Sequence, residues 1–147
     1  MKYFFLGFFI LLVFTSFKPG EGKTIITGKS LSGKTLFTVV LGGRDILINA
    51  QLTIEGAKLN FIESDSEYIL FRPKDKVFIM HLESDFVGTK HYKFVEFWAI
   101  PSSFQEIDEE NEAYEFKGKL TATEPRSGKD FHTPEIELQC KLTYYHP

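Results

Sequence analysis

Tyr114-Glu-Phe-Lys-Gly-Lys-Leu-Thr-Ala-Thr123 and Glu135-Ile-Glu-Leu-Gln-Cys-Lys-Leu-Thr-Tyr-Tyr145 decide the fold class of this chain. Both segments alternate with period two. Tyr114, Phe116, Gly118, Leu120 and Ala122 take one face of the first; Glu115, Lys117, Lys119 and Thr121 take the other. In the second, Ile136, Leu138, Cys140, Leu142 and Tyr144 lie opposite Glu135, Glu137, Gln139, Lys141 and Thr143. That alternation is the pattern of strands with one buried and one wet face. The two segments predict an antiparallel hairpin across Glu124–Pro134. Their wet faces choose its register: Glu115 opposite Lys141, Lys117 opposite Gln139, Lys119 opposite Glu137 and Thr121 opposite Glu135. A slip of two residues would set Lys117 against Lys141, and like charges directly opposite are destabilising.

Working outward, the upstream chain repeats the theme. Thr35–Leu41 is apolar on both faces and predicts a central strand. Gly42-Gly43 marks a turn. Asp45–Ile54 alternates, with Leu47 the exception, and Glu55-Gly56 is a hairpin signal before Ala57–Ile62. Tyr68–Phe71 and Val77–Leu82 flank the turn sequence Arg72-Pro73-Lys74-Asp75. Tyr92–Ile100 is rich in aromatics and Pro101 ends it. One helical signal follows: Ser102…Gln105 and Ser103…Glu106 are overlapping capping boxes, predicting a helix of one or two turns. No long helical period separates the strands, so parallel βαβ units are excluded. The expectation is an all-β protein, an antiparallel β-sandwich of about eight short strands, with a small lipocalin-like β-barrel as the alternative.

The chain's front differs from the rest. Met1-Lys2 precedes an apolar run from Tyr3 to Phe14, and Thr15, Ser16, Pro19, Gly20 and Gly22 follow. This is the pattern of a secretory signal peptide. It is shorter than the roughly 18 apolar residues of a membrane-spanning helix. The expected organisation is a signal peptide over 1–22 and a single β domain over 23–147, secreted or periplasmic, with no transmembrane segment in the mature chain. The whole sequence is 43% apolar and 25% charged, with a formal net charge of −3. That balance offers no basic surplus for nucleic acid or anionic membrane. A lone cysteine, Cys140, allows no internal disulfide, and on an alternating apolar face it reads as a core residue rather than a nucleophile.

Four patterns could carry chemistry. Gly28-Lys-Ser-Leu-Ser-Gly33-Lys34-Thr35 fits the phosphate-loop spacing, but the β-branched run after it gives no helix N-terminus, so no nucleotide is expected. His81, Glu83 and Asp85 share one strand face, and a metal would need a further ligand such as His91 or His132. The acidic loop Glu106–Glu115 could hold calcium, although the EF-hand alternation is absent. Tyr92, Phe94, Phe97 and Trp98 could form an aromatic platform for a sugar. Glu96 shares the face of Tyr92, Phe94 and Trp98 and would need a partner if that face were buried.

His81-Leu-Glu-Ser-Asp-Phe86, His91-Tyr92-Lys93 and Gly118-Lys-Leu120-Thr121 together resemble the YceI-like family of secreted lipocalin-like barrels, over residues 81–142 at most. The resemblance implies a barrel that carries an isoprenoid-like lipid. The leading functional expectation is a non-catalytic module binding a macromolecule or a glycan. A carrier of a small apolar ligand is the second, and a metal-dependent enzyme using His81 and Glu83 is the third.

Overall fold

The structure, a computed structural model, describes residues 22–84 and 92–146. All but the last residue of the expected signal segment lies outside the described residues. The strands are β1 (Lys23–Ser30), β2 (Thr35–Leu41), β3 (Leu47–Ile54), β4 (Ala57–Ile62), β5 (Ser66–Arg72), β6 (Val77–Glu83), β7 (Phe94–Ala99), β8 (Gln105–Asp108), β9 (Ala113–Glu124), β10 (Phe131–His132) and β11 (Ile136–Tyr145). They form one antiparallel sheet with the order β4-β3-β2-β1-β11-β9-β7-β6-β5, and β8 and β10 pair with β9. A sandwich needs two sheets; this is one sheet nearly closed into a barrel. The all-β class holds, and of the two architectures the barrel is the one present.

Direction explains how the sheet closes. Every pairing along the path is antiparallel, so eight reversals leave β5 running the same way as β4. Only Glu63–Asp65 lies between them. At roughly 3.3–3.6 Å per residue that link cannot return along the length of β4. β5 therefore begins where β4 stops, and the two are halves of one bent stave. Its first half pairs with β3 and its second with β6. The far end of β5 meets the β2–β3 connection, where Asp45 Oδ2 accepts the Phe71 N–H at 3.4 Å.

Two more staves are broken in the same way. β8 continues β7 along the same edge of β9, beyond a 3-10 turn at Pro101–Ser103. β10 precedes β11 along the other edge, and Thr133 bridges the break: its N–H donates to the Ala122 carbonyl and its hydroxyl accepts the Ala122 N–H. Three joined pairs reduce the 11 strands of the sheet to eight staves. An even number lets an up-and-down meander close with antiparallel neighbours throughout. The predicted helix at Ser102–Glu106 is replaced by the short turn and β8. Phe104 decides this, because it stacks flat on Phe116 with centroids 4.6 Å apart and closes one barrel end.

The hairpin register agrees with the charge argument: Glu115 pairs with Lys141, Lys117 with Gln139 and Lys119 with Glu137. The shortest ionic contacts run diagonally, Lys119 to Glu135 at 3.2 Å and Lys117 to Glu137 at 3.7 Å. Diagonal neighbours are within reach of long side chains.

The lumen is filled. Phe37, Phe61, Phe78, Phe97 and Phe116 point inward and are essentially inaccessible to solvent. Phe97 is the hub, with ring centroids 5.0 Å from Phe37, 5.2 Å from Phe78 and 6.5 Å from Phe116. Two inward glycines make room. A Cβ on Gly118 would collide with the Phe97 ring, and one on Gly28 with Phe37. Gly118→Ala should therefore destabilise the fold by about 1–3 kcal/mol, the usual range for overpacking. Urea unfolding measures this, and adding Phe97→Leu should recover part of the loss in a double-mutant cycle. A neutral Gly118→Ala would mean that the lumen has slack.

Candidate functional site

Strands β5, β6, β7 and β9 lie side by side, and their outward residues line up in rows across the wall. One row is Tyr68, His81, Glu96 and Thr121; the next is Leu70, Ile79, Trp98 and Lys119. Parity fixes these positions. Val95, Phe97 and Ala99 enter the lumen, so Phe94, Glu96 and Trp98 must face out. Among the described residues, no helix or second sheet covers this wall.

Exposure differs within the two rows. Leu70, Ile79 and Trp98 are half-buried and form a low apolar base. The groups that stand out are polar or amphipathic. Tyr68 is 51% exposed, and the side chains of His81 and Glu96 are 46% and 54% exposed. His81 Nδ1 and Glu96 Oε1 are 3.9 Å apart, too far for a hydrogen bond, so each keeps hydrogen-bonding capacity for a third group. Tyr68 meets the His81 ring edge-on, centroids 6.3 Å apart. A third row closes the lower edge: Lys93 ion-pairs with Glu83 at 3.5 Å and sits over the Phe94 ring, and Thr123 hydrogen-bonds His132 at 2.9 Å.

The expected aromatic platform is thus split. Trp98 and Phe94 are on the wall with Glu96, whose charge is solvated and needs no buried partner. Phe97 is in the lumen. Tyr92 instead packs against the core at the barrel end. Burial, with the carboxylates of Glu124 and Glu55, pushes its phenol pKa up, while Arg126 opposes. Sequence reasoning missed Tyr68, Leu70 and Ile79 as members of this surface. The pairing of β5 with β6 and of β6 with β7 is what places them there, and no local pattern carries it.

The other candidates do not converge. His81 and Glu83 share the outer face as expected, but their nearest charged groups are Glu96 and Lys93, not each other. Asp85 and His91 lie outside the described residues, and His132 is engaged at Thr123. Among the described residues, no three His, Cys, Asp or Glu side chains are placed to hold a metal ion. In the acidic loop, the Asp108 carboxylate accepts the N–H groups of Glu110 and Asn111 and the Asn111 side-chain amide. Those bonds, led by the Asn111 side chain, lower its pKa. Glu112 leans to Lys74, and Glu115 stands opposite Lys141 on the outer wall. These carboxylates therefore serve separate partners. The Gly28–Thr35 stretch is the β1–β2 hairpin, with Thr35 N–H donating to Ser30 Oγ at 3.1 Å. β2 follows it directly, so no helix N-terminus faces the turn.

Among the described residues, the larger hollows open at the surface. One of about 440 Å³ opens at the rim where β1 begins and β11 ends, between Asp45, Phe71, Lys74, Glu112 and Tyr144. Its walls carry both signs of charge, a poor lining for an isoprenoid chain. No helix among the described residues is long and apolar enough to cross a membrane.

Compared with protein-family models, with curated proteins and with solved structures, the chain finds no match in any of the three. The resemblance of residues 81–142 to the YceI-like proteins therefore gains no support as a family relationship.

Cys140 is buried in the lumen beside Leu138 and Leu142. Burial pushes its thiol pKa up from 9.0 to about 12. The neutral thiol is the form the fold accepts, so this group leaves stability unchanged below about pH 9 and erodes it as pH rises toward 12. A disulfide reagent at neutral pH should modify native protein no faster than the fold opens, and promptly in urea. Rapid labelling without denaturant would place Cys140 elsewhere.

Proposed function

We propose that this chain is an extracytoplasmic, non-catalytic binding module that holds its partner on the outer wall formed by β5, β6, β7 and β9. The observation carrying this reading is the division of aromatic residues between the two sides of the barrel. Five phenyl rings, of Phe37, Phe61, Phe78, Phe97 and Phe116, fill the lumen, which argues against a carried lipid. The sole tryptophan, Trp98, stands on the wall among Tyr68, His81 and Glu96. Trp98 is half-buried, with part of its ring left to water on the outer wall, and contact surfaces are where tryptophans concentrate. The short positively led apolar run at the front supports export.

Because Trp98 is the one tryptophan, its emission reports the wall directly. Acrylamide should quench it in the native protein. Trp98→Ala should cost at most about 1–2 kcal/mol, against the ~3–5 kcal/mol of a core aromatic. Native mass spectrometry of protein from its own source should show the bare chain mass. A retained lipid would restore the carrier reading in place of this one. N-terminal sequencing of exported protein should begin beyond the apolar run; an intact Met1 outside the cytoplasm would remove the signal peptide.

A further inference from the structure

We propose that the ligand of this wall is a carbohydrate, with a pyranose ring lying over Trp98 and its hydroxyls reaching Glu96 and His81; the inference rests on the outer-wall reading above. A sugar ring has an apolar C–H face and a polar edge, and the wall has the same two parts side by side. Trp98 lies in the apolar row with Ile79 and Lys119 as cross-strand neighbours, and Glu96 is two residues along the same strand. That places Glu96 about 7 Å from Trp98 along the strand and Lys119 about 5 Å away across it. A pyranose seated on the indole spans such distances, so its hydroxyls meet the Glu96 carboxylate on one side and, on another, the Lys119 ammonium, which donates one N–H to Glu135 at 3.2 Å and has two more.

The hydrogen-bonding groups are available. His81 and Glu96 do not satisfy each other at 3.9 Å. A hydroxyl that donates to Glu96 and accepts from His81 would fill the space between them, a role a hydrocarbon cannot take. The pattern of exposure separates a glycan from a protein partner. Protein interfaces are anchored by side chains buried at the centre of a patch of about 800 Å² per partner, with charge kept to the rim. Here Leu70, Ile79 and Trp98 form a half-buried floor, and the imidazole, carboxylate and phenol project around it.

The test uses the full mature protein and the Trp98 emission. Cellohexaose, chitohexaose, laminarihexaose and soluble mannan are titrated separately, and calorimetry repeats any response with variants. The expected result is saturable binding of at least one. Glu96→Gln and Trp98→Phe should each weaken it about tenfold, and Lys29→Ala on β1, away from this wall, should leave it unchanged. In parallel, culture medium of the source organism is tested for shielding Trp98 from acrylamide, before and after exhaustive protease digestion and fractionation by sugar content. Shielding that survives digestion and stays with the sugar-containing fraction supports the proposal even if the four probes fail. Shielding that is lost on digestion, or that separates from the sugar, overturns the carbohydrate and leaves the outer-wall reading standing. If neither the probes nor the medium alters Trp98, both fall.

Discussion

The fit of the Phe97 ring against Gly118 sets the dimensions of everything else. Phe97 lies where β7 faces the inside of the barrel, and Gly118 on the neighbouring β9 gives it the space of a missing side chain. Phe37, Phe78 and Phe116 then close around the same ring. Five phenylalanines on inward faces are enough to make the lumen a core rather than a chamber. With the inside committed to packing, the proposed recognition is assigned to the outside. The functional reading thus follows from where the aromatic rings are placed, not from a catalytic constellation.

The three broken staves explain how a strand-rich chain makes this shape without long strands. At each break the chain spends a few residues on a 3-10 turn or a loop and then resumes on the same line. Each break also lets the sheet bend more sharply than an unbroken strand allows. At Glu63–Asp65 the bend transfers the stave from β3 to β6, and at Pro101–Ser103 it drops Phe104 over the barrel end. Along the long, unbroken β9, Gly118 instead gives the Phe97 ring the space of a missing side chain.

The sequence is informative where burial and charge act locally. The β9–β11 hairpin was legible in face and register because each strand has a clean wet side, and a two-residue slip would oppose two lysines. The face of His81 and Glu83 was legible for the same reason, with Phe78, Met80 and Leu82 behind them. Closure was not. A period of two says which residues point in, but it is the same for a sandwich and a barrel, and the direction argument needs the pairing of β5 with β6 and β4 with β3. The segment Phe94–Ala99 was ambiguous because both of its faces are apolar. Only Glu96 breaks the tie, and its charge belongs with water. The turn after Pro101 carried a genuine local helix signal that a long-range contact, Phe104 on Phe116, overrode.

β1 and β11 are neighbours, with Lys23 opposite Tyr145 at the same rim. The ladder between them is therefore loaded in the weakest possible direction by any force that separates those two points. Tension would act across the hydrogen bonds one at a time, opening the pair like a zipper from Lys23–Tyr145 toward Ser30–Leu138, instead of straining the whole row in shear. A tether at one end of the barrel alone would spare it, because the opposing strand then bears no load.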